Sequence, residues 1–254
     1  MKREWIEPGE WPALESGEVH VWLAHVPNAR LRLEELRALL SPDERERVAR
    51  FKFEQHRERS QVARGVLRLL LAHYTGREAG ALAFAYNAHG KPELREGGLH
   101  FNTSHSGDYV VFAFSHAGPV GVDIEQIRKD MQQHQAIAER HFAPGEQRQL
   151  NSLPEGERLR GFFELWARKE AFIKAPGEGV FGGLTHFETA LDCERGVTIR
   201  GVRASDWWMS ALPDVPGYAG AVALNAAACV AKFWKWNWLV GHQVAGHMPR
   251  KNPH

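Results

Sequence analysis

Val120-Gly121-Val122-Asp123-Ile124-Glu125 is an apolar run carrying two carboxylates one residue apart. The apolar segment before it, Tyr109 to Ser115, reads as a strand, and Gly118-Pro119 as the turn between the two. Side chains of an extended chain alternate, so Asp123 and Glu125 leave one face and Ile124 the other. Like charges this close repel unless a cation lies between them, and all-oxygen ligation suits Mg²⁺ or Mn²⁺. A lone D-x-E is more often the solvated end of an exposed strand, so the surrounding chain must decide.

Upstream, Leu99–Asn102 is short and extended and runs into Thr103-Ser104-His105-Ser106-Gly107-Asp108, where Gly107-Asp108 signals a tight turn. Leu82–Tyr86 is strand-like and precedes a turn ending in Gly90-Lys91-Pro92. Gln55–Tyr74 reads as a long helix with an apolar face at Val66, Leu67, Leu70 and Leu71, and with Arg57, Arg64 and Arg68 on its other sides. Gly76 ends it. Ser41-Pro42-Asp43-Glu44 has the pattern of a capping box with proline at the first helical position, opening a helix rich in Arg45, Arg47 and Arg50. Val19–Val26 is a first strand and Leu31–Leu40 a short helix.

Downstream, Arg128–Gln135 is a polar connector and Ala136–His141 a helix. Phe142-Ala143-Pro144-Gly145-Glu146 then echoes Leu40-Ser41-Pro42-Asp43-Glu44, and each opens a charged helix followed by a longer one. The second long helix, Leu159–Lys174, gives way to glycines 177 and 179 and to strand candidates at His186–Leu191, Val197–Val202 and Tyr218–Leu224. This reads as a weak internal repeat: an α/β (α+β) fold of two similar halves, 1–127 and 128–226, related by a pseudo-twofold. Residues 227–254 form an aromatic and basic tail, with Phe233–Trp238 as a terminal edge strand.

On the second long helix Phe162, Leu165, Trp166 and Ile173 form the buried stripe, with Glu170 and Lys174, four apart, at its border. Alone they make an ordinary surface ion pair. Beside a rigid core margin, Glu170 is a third carboxylate for Asp123 and Glu125, and Lys174 a fixed charge for a phosphate. His105 is one of 14 histidines, open to a structural, phosphate-donor or acid/base role. Ser104-His105 lacks the G-x-S-x-G elbow of a hydrolase.

Composition narrows the class. The chain is 43% apolar and 25% charged with net charge +1, so no overall field draws it to nucleic acid or membrane. Cys193 and Cys229 form no CxxC pair and fit a reducing compartment. Met1–Pro8 has no apolar signal run, so a cytoplasmic protein is expected.

Together, Ser41-Pro42-x-Glu44, Gly90-Lys91-Pro92, Phe101-Asn102-x-Ser104-His105-Ser106, Val120–Glu125 and Trp166-x-x-Lys169-Glu170-Ala171-Phe172-x-Lys174 resemble the 4′-phosphopantetheinyl transferases. The similarity is to the monomeric, two-half type that primes carrier proteins of peptide and polyketide synthesis, and it spans about residues 19–225. It implies coenzyme A as co-substrate and Mg²⁺ (or Mn²⁺) in a cleft between two α/β halves. Position by position, it implies Asp123, Glu125 and Glu170 as metal ligands and Lys174 on the coenzyme A phosphates. Asn102, Thr103, Ser104 and His105 match the phosphate-contacting turn, and Gly90, Lys91 and Pro92 the loop near the nucleotide. Arg47 matches a base at the 3′-phosphate with Arg64 assisting, while Glu44 stands where some relatives carry a base. Glu170, Lys174 and His105 are the implied catalytic groups, with Glu170 or a metal-bound water as the base, and the partner is an acyl or peptidyl carrier protein. Two rival readings are a hydrolase of coenzyme A-like pyrophosphates and a non-catalytic binding module.

Overall fold

The computed structural model describes residues 3–131, 133–177, 184–191, 198–199, 202–226 and 229–238. The first part of the chain runs β1 (Glu18–His25), α1 (Val26–Ala29), α2 (Leu33–Leu39), α3 (Pro42–Ala49), α4 (Glu54–Thr75), β2 (Phe84–Tyr86), β3 (Pro92–Leu94), β4 (His100–Ser106), β5 (Tyr109–Ser115) and β6 (Val120–Gln126). It continues with α5 (His134–His141), α6 (Pro144–Ser152) and α7 (Glu155–Lys174). Short strands β7 (Phe187–Glu188), β8 (Thr198–Ile199), β9 (Val202–Arg203) and β10 (Trp208–Ala211) follow, then β11 (Tyr218–Leu224) and β12 (Val230–Lys235). The class is α+β, in two halves.

β5 explains its own uninterrupted apolar sequence. In the sheet β12-β1-β5-β4 it is an inner strand, antiparallel to β1 and β4. One face carries Val110, Phe112 and Phe114 onto Val66, Leu67 and Leu70 of α4. The other turns Val111 and Ala113 toward Val122, Ile124 and Leu224 of the second sheet, β10-β11-β6. A strand covered on both faces has no polar side to show. α7 lies on the far side of that second sheet, where Ala167 and Ala171 meet Ala221 and Ala223.

The halves share one device at the start of each helix pair. Glu44 Oε2 accepts Ser41 N–H at 2.9 Å, and Glu146 Oε2 accepts Ala143 N–H at 2.8 Å. Each carboxylate is also the buried partner of a cation on the following long helix. Arg68 Nε donates to Glu44 at 2.7 Å and Lys169 Nζ to Glu146 at 2.6 Å. Arg68 is 1% exposed and Lys169 0%, so Arg68, off the apolar face in sequence, is buried all the same; its charge is neutralised by Glu44 and its Nη1 donates to Ala79 O and Leu82 O. The expected capping box between Ser41 and Glu44 is present, and the Ser41 hydroxyl also donates to Asp43 at 2.6 Å.

Other differences have local causes. β4 runs through Ser106 rather than ending at Asn102, because it pairs with β5 along its whole length up to the Gly107-Asp108 turn. On α7, Trp166 and Ile173 are only partly buried, whereas Phe163 is 2% exposed and joins Phe162 and Leu165. β10, unmarked by alternation, pairs with β11. β12 is an edge strand, spanning Val230–Lys235 rather than the expected Phe233–Trp238. It pairs parallel with β1, and Trp234, Trp236 and Trp238 pack with Trp11 on the cluster containing Trp22. Glycine 179, Cys193 and residues beyond 238 lie outside the described residues. Among the described residues no helix is long and apolar enough to cross a membrane.

Candidate active site

β6 meets the first sheet at β4, and the motif Asn102-x-Ser104-His105-Ser106 makes that seam. Asn102 Oδ1 accepts Val122 N–H and Ser106 Oγ accepts Gln126 N–H, both at 3.0 Å. Between them Ser104 Oγ donates to Asp123 Oδ1 at 2.8 Å, and Ser106 Oγ donates to Glu125 Oε2 at 3.2 Å. Residues 102, 104 and 106 therefore share the face of β4 that turns to β6, as alternation requires. Backbone edge groups that would otherwise stay unpaired are satisfied by side chains.

α7 closes the site from the other side. Lys174 Nζ lies 2.5 Å from Asp123 Oδ1 and 3.2 Å from Ser104 Oγ, joining β4, β6 and α7 at one oxygen. This approach depends on Gly121. A Cβ there would run into the Ala171 carbonyl and stand 2.6 Å from Ala175 N, so the helix backbone rests on the strand backbone.

Asp123 is 2% exposed, and burial raises its carboxyl pKa against the pull of Lys174 and Ser104. Glu125 is pushed up to about 7 by burial and then by Asp123. Burial also raises Glu170, whose neighbours Lys174 and Asp123 act in opposite senses. The three carboxylates thus share one electrostatic neighbourhood, and ionising all of them is unfavourable without added positive charge. Among the described residues no three His, Cys, Asp or Glu side chains converge in metal-ligating geometry. The donor set nevertheless fits a hard divalent cation: it is all oxygen, and Asp123 Oδ2 is buried with no hydrogen-bond partner.

The sign of the Glu125 shift gives a first prediction. Between the ordinary carboxylate value of 4.5 and about 7 the folded chain holds a proton that the unfolded chain has released. Stability therefore falls as pH rises through that window. In the presence of a chelator, wild type should lose ground in Tm to Glu125→Gln between about pH 5 and about pH 8. Thermal unfolding of both proteins across that range checks this; a constant gap would contradict it.

His105 projects from the opposite face of β4 to Ser104. It is exposed, on the side where Arg59 and His56 of α4 act on its charge. Desolvation, followed by the charge of Arg59 and then of Lys174 and His56, lowers its pKa, so the neutral ring dominates at neutral pH. Thr103 shares that face, and its hydroxyl oxygen is buried without a partner. Arg59 and His56 are neighbours the sequence did not single out. Arg59 bonds His56 Nδ1 at 2.9 Å and reaches Gly107 O at 3.4 Å, a contact between elements nearly fifty residues apart that no local pattern signals.

Of the remaining expected residues, Arg47, Arg64 and Glu44 have their contacts outside this centre, while Lys91 reaches its main chain. Arg47 is half exposed, with its guanidinium 4.7 Å over the Tyr86 ring and donating to Tyr86 Oη at 2.9 Å. Arg64 lies 3.4 Å from Glu44 and 5.2 Å over Phe84, and its Nη1 is buried without a hydrogen-bond partner. Glu44 is 3% exposed and committed to Arg68. Gly90 takes the left-handed conformation, φ 80°, in the turn before Pro92. The Lys91 ammonium points inward and donates to three main-chain carbonyls: Val120 O at 3.2 Å, Lys174 O at 2.9 Å and Ala175 O at 2.6 Å.

Comparison with known proteins places this arrangement. Residues 119–223 match the family model described as the 4′-phosphopantetheinyl transferase superfamily, and residues 28–117 match that of the 4′-phosphopantetheinyl transferase N-terminal domain. The chain is 34% identical to the 4′-phosphopantetheinyl transferase HetI of a Nostoc species over 93% of its own length and all of that protein. It is 37% identical to the 4′-phosphopantetheinyl transferase psf-1 of Bacillus pumilus over 68% of this chain and 73% of the other. Identity to the 4′-phosphopantetheinyl transferase Sfp of Bacillus subtilis is 30% over 65% of this chain and 73% of the other. With a matched relative along nearly its whole length and two family models that together cover residues 28–117 and 119–223, this chain belongs to the 4′-phosphopantetheinyl transferase superfamily.

Proposed function

We propose that the chain transfers the 4′-phosphopantetheine group of coenzyme A to a serine hydroxyl of an acyl or peptidyl carrier protein and releases adenosine 3′,5′-bisphosphate. The observation that carries this reading is the convergence of Lys174 and Ser104 on Asp123, whose second oxygen is buried and unpartnered. Such a centre is built for a charged pyrophosphate and a cation, with little covalent work for the protein.

Asp123, Glu125 and Glu170 would hold Mg²⁺, or Mn²⁺, which when bound supplies charge neutralisation at the pyrophosphate. Glu170, its pKa raised by burial, takes the proton of the carrier serine. The serine oxygen forms a bond to the β-phosphorus as the bond from that phosphorus to the bridging oxygen breaks. The electron pair leaves with the adenosine bisphosphate. Lys174 offers its ammonium to the charge that develops, and neutral His105 donates an N–H to a phosphate oxygen. Asn102, Thr103 and Ser104 shape the phosphate turn, and Gly90, Lys91 and Pro92 border the nucleotide through their backbone. Arg47 meets the 3′-phosphate, with Arg64 behind it. In this reading the enzyme works in the cytoplasm as a monomer, without nucleic acid or membrane, and serves carriers of peptide and polyketide synthesis.

Arg47→Ala should raise the KM for coenzyme A roughly fivefold to tenfold at nearly constant kcat, and should hardly affect dephospho-coenzyme A. Steady-state kinetics with the two donors checks this. The reading itself is tested by intact-mass spectrometry of an apo carrier protein incubated with the chain, coenzyme A and Mg²⁺, beside a chelated control. The expected gain is about 340 Da, dependent on the metal. Free phosphopantetheine without a modified carrier would favour a hydrolase instead, and coenzyme A binding with no turnover a binding module.

A further inference from the structure

The β2–β3 hairpin of the first half ends against the C-terminus of α7 in the second half. Its turn is held from within: Asn87 Oδ1 accepts the N–H groups of His89 and Lys91 at 3.0 and 2.9 Å, and Asn87 N–H donates to Lys91 O at 3.1 Å. Two side chains then cross to the end of α7 and the turn that follows it. Asn87 Nδ2 donates to Gly177 O at 2.7 Å, and Lys91 Nζ places its three hydrogens on the carbonyls of Val120, Lys174 and Ala175. Val120 opens β6, and Lys174 and Ala175 end α7, so one ammonium joins the strand carrying Asp123 to the helix turn carrying Lys174. Gly177 shows how close this packing is. Its φ is +69°, and a Cβ there would stand 2.6 Å from Asn87 Nδ2 and 2.8 Å from Lys91 Cδ.

Cations at helix C-termini are favoured because the last carbonyls have no partner within the helix. Lys91 goes further, because its third acceptor belongs to another element. We propose that Lys91 is a positioning residue for phosphopantetheine transfer: it fixes the last turn of α7 against β6 and so sets Lys174 and Glu170 relative to Asp123, rather than binding a coenzyme A phosphate with its charge. This rests on the transferase reading above. Burial lowers the Lys91 pKa to about 8, consistent with an ammonium drawn into the protein.

The test is the kinetics of carrier modification by Lys91→Met, which keeps the aliphatic stem and removes the donors. A positioning role predicts a fall in kcat of about tenfold to a hundredfold, with the KM for coenzyme A within about twofold of wild type. In a Lys174→Ala background the same change should cost at least about threefold less than in wild type, because one of the two groups it positions is gone. Asn87→Ala removes the parallel tie and should reproduce the kcat-only signature if Lys91→Met does not fold. A rise of about tenfold in the KM for coenzyme A at preserved kcat would overturn the proposal in favour of a phosphate contact. Full additivity with Lys174→Ala would overturn it in favour of a role unrelated to that lysine. Absence of transfer by the wild-type chain is a different failure, that of the transferase reading.

Discussion

Replacing Asp123 by asparagine should lower phosphopantetheine transfer by about a thousandfold or more. Asparagine keeps the shape and can still accept the Ser104 hydrogen bond, but it removes the charge at which β4, β6 and α7 meet. It also removes the buried, unpartnered oxygen that the cation would use. Stability should move the other way or not at all. Burial already disfavours the Asp123 carboxylate, and Lys174, partly exposed, can turn its charge to water. The expected result is a protein with a wild-type or higher Tm and almost no turnover at any coenzyme A concentration. A variant that keeps metal-dependent turnover would remove Asp123 from the centre.

Gly121→Ala should be nearly as damaging, by a different route. The added methyl has backbone on every near side: the Ala171 carbonyl, Ala175 N at 2.6 Å and Ala175 Cα at 3.0 Å. No rotamer relieves contact with a helix backbone, so α7 must move away from β6. Overpacking of this kind costs about 1–3 kcal/mol. The functional effect should be larger, because Glu170 and Lys174 travel with the helix, and a displacement of about 1 Å at reacting groups can cost about a hundredfold in rate. Thermal unfolding and kcat together check this. A variant with unchanged Tm and rate would mean that the close approach of α7 is not what places those residues.

Much of this site is legible in the chain because it sits on regular elements. Alternation puts Asp123 and Glu125 on one face of β6, and helical spacing puts Glu170 and Lys174 together on α7; both relations hold in the fold. What periodicity does not reveal is which polar groups are buried. Arg68 resembles its less buried neighbours Arg57 and Arg64 in sequence, and only the fold sets it fully inside on Glu44, 24 positions away. The Asn102–Ser106 seam is similarly hidden, since a run of small polar residues reads as a turn until β6 offers its backbone to them. Lys91 is the sharpest case. Glycine and proline on either side mark a surface turn, yet its ammonium is inside, on carbonyls 29 to 84 positions away. Tryptophans 234, 236 and 238 follow strand alternation, but nothing local names β1 as their partner strand.

The central claim is that Asp123, Glu125 and Glu170 act with Lys174 as one metal-dependent centre for phosphopantetheine transfer. It is tested most directly by titrating carrier-protein turnover with Mg²⁺, at saturating coenzyme A, for wild type, Glu125→Gln and Glu170→Gln. Each substitution should move the midpoint of the Mg²⁺ dependence upward by about tenfold or more. An unchanged midpoint in either variant, with turnover still abolished by a chelator, would contradict the claim that the three carboxylates hold the ion together.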